Sequence, residues 1–189
     1  MSSTNRGGER IALDAYYTPD TVARACIGTI QGLLRARCWE PHAGGGAFVR
    51  ALIHRGAMVT ASDINPDAAG IADSGLSASF VGDFLAYPAT DDNRPEWIFG
   101  NTPFTEAERH VRHALAHATV GVGFLLRLAF LETQARAPFW REHPCAEVYV
   151  LTARPSFTDG ATDSCAYGWF IWRKGHIGPT ILRHLNWKS

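Results

Sequence analysis

Arg37-Cys38-Trp39-Glu40-Pro41-His42-Ala43-Gly44-Gly45-Gly46-Ala47-Phe48 passes from a short strand, through a glycine turn, into a helix. The strand is read over residues 37–40, the turn over 41–46 and the helix over 47–55. Gly44 and Gly46 allow the main chain to approach a ligand closely. On the surface the turn matches a dinucleotide fingerprint. Glu40-Pro41 ahead of the glycines and a helix that starts at once set it apart. A carboxylate at the position of Glu40 can orient a ligand's ammonium group, directly or through water.

Upstream, Thr18 and Pro19 suit a helix start, and the helix is read to about Leu34. Val22, Ala25, Cys26, Thr29, Ile30 and Leu33 fall on one face of it. Downstream, strands are read over 57–63, 78–81, 97–100 and, very apolar, 120–128. Helices are expected over 67–72, over 105–117 and from 131 to about 140. Residues 147–152 and 167–172 are rich in β-formers and read as a hairpin on one edge, with 154–165 as its loop. Strands alternating with helices imply an α/β fold, a mainly parallel seven-stranded sheet covered on both faces.

The chain has 189 residues and no net charge, which fits one domain with its own core. Residues 1–14 read as a flexible leader without the apolar centre of a signal peptide, and 15–189 as the domain. No run of about 18 apolar residues exists to span a membrane. Cys26, Cys38, Cys145 and Cys165 form no C-x2-C pair, so neither a zinc ribbon nor a disulfide framework is expected, and a reduced, cytoplasmic protein is. The charge is unevenly spread. Residues 57–108 hold nine acids and one base, Arg94, whereas 109–189 hold ten bases and five acids. Aromatic residues interleave with the bases of that second part, a pattern that binds phosphates and stacks bases, although most such rings belong to a core.

Two acidic residues follow the glycine turn at successive strand ends. Asp63 lies about 20 residues past it, where a carboxylate accepts from ribose hydroxyls. Asp83, in Gly82-Asp83-Phe84, is placed to accept from an adenine amino group, with Phe84 beside the ring. Singly, each is a turn or cap residue. The fourth strand then ends in Asn101-Thr102-Pro103-Phe104. The Asn side-chain oxygen and the carbonyl of Thr102 can both accept from a flat NH2 group, and Phe104 can stack on a planar base.

Tyr16-Tyr17-Thr18-Pro19, Glu40-Pro41-x-x-Gly44-x-Gly46, Ser62-Asp63-Ile64-Asn65, Gly82-Asp83-Phe84 and Asn101-Thr102-Pro103-Phe104 run in this order. Together they resemble the S-adenosylmethionine-dependent methyltransferases that act on amino groups, closest to the small, phage-like DNA N6-adenine group. The resemblance implies a Rossmann-like methyltransferase fold with S-adenosylmethionine as cofactor and DNA as partner. It places Tyr16, Tyr17, Thr18, Glu40, Pro41, Gly44, Gly46, Asp63, Ile64, Asp83, Phe84 and Asn101 at the cofactor, and Asn101 to Phe104 at the methyl acceptor. In this family the first residue after the Asn is usually Pro, and here it is Thr102. No insertion remains for a separate target-recognition domain. No metal is implied.

Phe104, Arg127 and Arg154 are read as substrate contacts, with the loop 156–164 near the target. Arg136 reads as an ion-pair residue. His110, His113 and His117 share one helix face, read as solvated rather than as a metal site. His42 reads equally as a cofactor neighbour or a turn filler. The same Asn-x-Pro-aromatic loop suits RNA amino groups or a protein glutamine amide. A catalytically silent nucleic-acid-binding module and, with less support, a nicotinamide-dependent oxidoreductase remain alternatives.

Overall fold

Eight strands form a single sheet in the order β3-β2-β1-β4-β5-β7-β6-β8. The strands are β1 (Arg37–Glu40), β2 (Met58–Asp63), β3 (Ala78–Val81), β4 (Trp97–Gly100), β5 (Gly121–Arg127), β6 (Glu147–Leu151), β7 (Tyr167–Arg173) and β8 (Ile181–Leu185). The α-helices are α1 (Asp20–Gly28), α2 (Ala47–His54), α3 (Ala107–His117) and α4 (Ala137–Glu142). The computed structural model describes residues 17–88, 94–157 and 164–188. The proposed leader and Tyr16 lie outside them, as does most of the loop 156–164.

Strands β1 to β5 pair in parallel, and β7 runs antiparallel to both of its neighbours, β5 and β6. The sheet therefore has one strand more than the seven expected. Strand β8 pairs in parallel with β6 from Glu147↔Ile181 to Leu151↔Leu185 and forms the outer edge. The hairpin of β6 and β7 is consequently not the edge: β7 is inserted between β5 and β6. That position explains why Tyr167 to Trp172 are all buried.

Alternate side chains along each strand feed two cores. On one face Cys38, Trp97, Phe99, Leu125, Trp169 and Ile171 meet Val22, Cys26 and Ile27 of α1 and Phe48 and Leu52 of α2. On the other, Trp39, Ile98, Val122, Phe124, Phe170 and Trp172 meet Val111, Ala114 and Leu115 of α3 and Phe139 of α4. Helix α1 is shorter than its apolar stripe implies. Thr29 ends it, with its hydroxyl donating to the Cys26 carbonyl (2.7 Å) and accepting from the Trp169 indole (3.2 Å). Ile30 and Leu33 stay buried in the irregular chain that follows. The helix expected over 131–140 is likewise broken, into two 3-10 turns and the short α4.

The C-terminal ends of β1 to β5 share one edge of the sheet. After β3 the chain crosses to the other side of β1 to enter β4, and an open α/β sheet leaves a crevice for ligands between the carboxyl ends of two such strands, here β1 and β4. Among the described residues, no helix is long and apolar enough to cross a membrane.

Candidate active site

Glu40 ends β1 and is 1 % exposed. Its Oε1 accepts the main-chain N–H of His42 (2.9 Å). Burial pushes its carboxyl well above the usual range, against the pull of that N–H, and the charge of Asp63 adds to the upward push. The end of β4 makes room for it: a Cβ on Gly100 would collide with the Glu40 carboxylate.

The glycine turn is held from below. Gly44 and Gly46 adopt positive φ (45° and 82°), which glycine takes without strain. Helix α2 begins immediately after Gly46, whose carbonyl accepts from Arg50 N (2.9 Å). Asp63, at the end of β2, clasps the turn. One carboxylate oxygen accepts from Gly44 N and the other from Asn65 N, each at 2.8 Å. Each oxygen keeps a second acceptor site. Asp83 is exposed and caps a 3-10 turn through Leu85 N (2.9 Å). Both acids thus perform the local turn role while standing at adjacent strand tips. Ile64, beside Asp63, is 58 % exposed.

Thr18 and Asn101 meet across 83 residues: Asn101 Nδ2 donates to Thr18 Oγ1 (3.2 Å). The Tyr17 ring lies over Gly44 and Gly45. Tyr17, Thr18, Glu40, His42, Gly44, Gly45, Phe48 and Asn101 line a shared cavity of ≈ 30 Å³. That is about the share of one water in the liquid. Pro41 is buried behind the turn.

Thr102 is 2 % exposed, and its hydroxyl donates to the Pro103 carbonyl (3.3 Å) within its own loop. Phe104 sits beside Tyr167, with ring centroids 5.5 Å apart, and the Arg127 guanidinium lies over its ring at 4.7 Å. Arg127 also donates to the Tyr167 hydroxyl (3.3 Å). Arg154 is exposed, close in sequence to the buried Phe157 that packs on Tyr167. Arg136 is structural: it donates to the carbonyls of Ala129, Phe130 and Glu132 and stacks on Phe130.

Two expectations need correction. Phe84 does not present a face at the cleft: it is 3 % exposed and packs edge-on against Trp39, His42 and His113. The histidine face of α3 is not solvated either. His110 and His117 are 6 % and 3 % exposed, because α3 lays that stripe against Phe84. Among the described residues, no group of three or more His, Cys, Asp or Glu could hold a metal ion. The same packing brings His110 to His42: Nδ1 of the first and Nε2 of the second share a hydrogen bond of 2.8 Å. Burial drives both rings toward the neutral form. His42 is held well below the usual range, with His110 adding to the effect, and His110 falls to about 4. The sequence names both residues, but nothing in their 68-residue separation pairs them.

No protein-family model matches the chain, and no curated protein matches it in sequence. Solved structures do match in shape. A putative RNA methyltransferase from Pyrococcus horikoshii aligns with a TM-score of 0.69 at 14 % identity, over 84 % of this chain and 86 % of that one. A modification subunit of a putative type I restriction enzyme from Vibrio vulnificus aligns at 0.67 and 15 % identity, over 89 % of this chain and 46 % of that one. Magnesium protoporphyrin IX methyltransferase from Synechocystis, with bound SAH, aligns at 0.61 and 12 % identity, over 82 % and 83 % of the two chains. At these identities the likeness is one of fold: the chain has the Rossmann-like fold of these methyltransferases.

Proposed function

We propose that this protein transfers a methyl group from S-adenosylmethionine to an exocyclic amino group, with N6 of adenine in DNA as the first acceptor. One observation carries the reading. Glu40 and the glycine turn, Asp63, Asp83 and Asn101 stand at the ends of four neighbouring strands, and Thr18 is hydrogen-bonded to Asn101. S-adenosylmethionine supplies an electrophilic methyl group on a sulfonium sulfur. Glu40 is suited to its ammonium group, Tyr17 and Thr18 to its methionine end, Asp63 and Ile64 to its ribose, and Asp83 to its adenine. Asn101 Oδ1 and the Thr102 carbonyl accept from the acceptor amine, which turns its lone pair out of conjugation. Phe104 offers a ring for stacking, and Arg127 brings positive charge beside it for a phosphate. The hydroxyl that replaces the usual Pro is accommodated within the loop, which supports a working acceptor site.

The likeness to a restriction-enzyme modification subunit supports a nucleic-acid acceptor, and that to a putative RNA methyltransferase favours an RNA amino group as the second reading. Labelled methyl transfer to duplex DNA, single-stranded DNA, RNA and protein, followed by nucleoside analysis, separates them. N6-methyladenine in DNA is the expected product. Asn101→Ala is expected to abolish transfer while cofactor affinity holds. Tight cofactor binding with no incorporation into any acceptor would mark a silent nucleic-acid-binding module instead.

A further inference from the structure

His42 Nδ1 is enclosed by protein and has no hydrogen-bond partner among the described residues. A buried ring nitrogen left in that state destabilises the fold, a cost retained where a ligand atom or a proton meets the group. His42 lines the same small cavity as Asn101 and Glu40. Its other nitrogen is tied to His110 Nδ1, so the pair forms a chain of two rings leading away from the cavity. We propose that His42 and His110 form a proton relay that drains the acceptor site, His42 Nδ1 taking the proton that the amine sheds on methylation.

The inference rests on the methyl-transfer reading. In that reaction the amine lone pair forms the N–CH3 bond while the methyl–sulfur bond breaks with its electron pair left on sulfur. As that bond forms the nitrogen becomes cationic, and its surplus proton moves off in the same transition state. His42 Nδ1 accepts it as the N–H on Nε2 passes to His110 Nδ1, and His110 releases its own Nε2 proton outward. The direction requires both rings to start as the Nε2–H tautomer.

The surroundings favour that direction. Phe84 and Phe124 flank the His42 ring, with the buried Glu40 and the clasping Asp63 on the neighbouring strands. At the relay's outer end the exposed carboxylates of Glu106 and Asp83 draw a proton toward His110, opposed by Arg109 and His113. Both rings rest neutral near pH 7, as a proton acceptor must. An aryl ammonium is a far stronger acid than an imidazolium, so even a weakly basic ring takes its proton.

The test uses the full chain with uniformly 15N-labelled histidine. Before any turnover, nitrogen chemical shifts are expected to show unprotonated Nδ1 atoms on both His42 and His110; a protonated Nδ1 on His42 overturns the relay. Single-turnover rates are then compared for the wild type and His42→Gln, which keeps a donor toward His110. The variant is expected to bind S-adenosylmethionine as tightly and to transfer on the order of 10²-fold more slowly. The acid limb of the wild-type rate profile is expected to disappear with it. In His42→Ala, added imidazole is expected to restore rate. Equal rates in wild type and His42→Gln overturn the relay alone. A wild type that transfers to no acceptor overturns the methyl-transfer reading and the relay together.

Discussion

Glu40 is 1 % exposed, and a carboxylate taken out of water needs partners that replace it. The structure gives it one N–H, from His42, and leaves its proton affinity raised. An ammonium group arriving at the turn would supply the missing charge. Glu40→Gln keeps the shape and removes that charge. Cofactor affinity by calorimetry is expected to fall roughly 10- to 100-fold, following the worth of a charged hydrogen bond; an unchanged affinity would remove Glu40 from the site. Gly100→Ala tests the same contact from the other side. Its methyl group would press on the carboxylate, so both stability and cofactor affinity are expected to fall. Asp63 shows why a single residue is easily misjudged from sequence. Its clasp on Gly44 is the ordinary fate of a strand-end Asp, and that clasp is what presents the turn.

Helix α3 carries an unusual buried face of histidines. His42, His110 and His113 are all held below their usual proton affinity, chiefly by burial. The unfolded chain takes up protons below about pH 6.5, while the folded one resists until about 4 at His110. The stabilisation is complete above pH 6.5 and is lost as the pH falls through that window. Urea midpoints measured from neutral pH downward are expected to drop, and His110→Gln to flatten the drop; a pH-independent midpoint would show that these rings are not buried neutral. In β5 the constraint is steric. A Cβ on Gly123 would lie 2.6 Å from the Trp169 ring and 2.8 Å from Phe99. Gly123→Ala is expected to cost about 1–3 kcal/mol, read from the same urea curves.

Along the chain as a whole, the acids gather in residues 57–108 and the bases in 109–189, the part that carries Arg127 and Arg154. If the acceptor is a nucleic acid, affinity for a labelled oligonucleotide is expected to fall steeply between roughly 50 and 200 mM salt. A flat response in fluorescence anisotropy would turn attention to a protein amide. The positions of strands β1 to β7 along the chain and the turn after β1 were legible in the sequence because each rests on local pattern: apolar runs of strand length, glycines where the chain must bend, acids at strand ends. Parallel strands then carry those ends to one edge without further instruction. Other features had no local signature. Strand β8 is mostly exposed and lacks apolar alternation, so it exists through main-chain bonds to β6, some 30 residues away. Phe84 has the sequence context of a cleft residue and is buried by α3. The pairing of His42 with His110 depends on how α3 settles on the sheet, a matter of packing volume and not of spacing. The sequence by itself determined which chemistry stands at the strand tips, because turn and strand propensities act over a few residues. Which of those side chains face the cleft and which are enclosed beneath it was decided by tertiary packing, because burial is a property of surfaces brought together from distant parts of the chain.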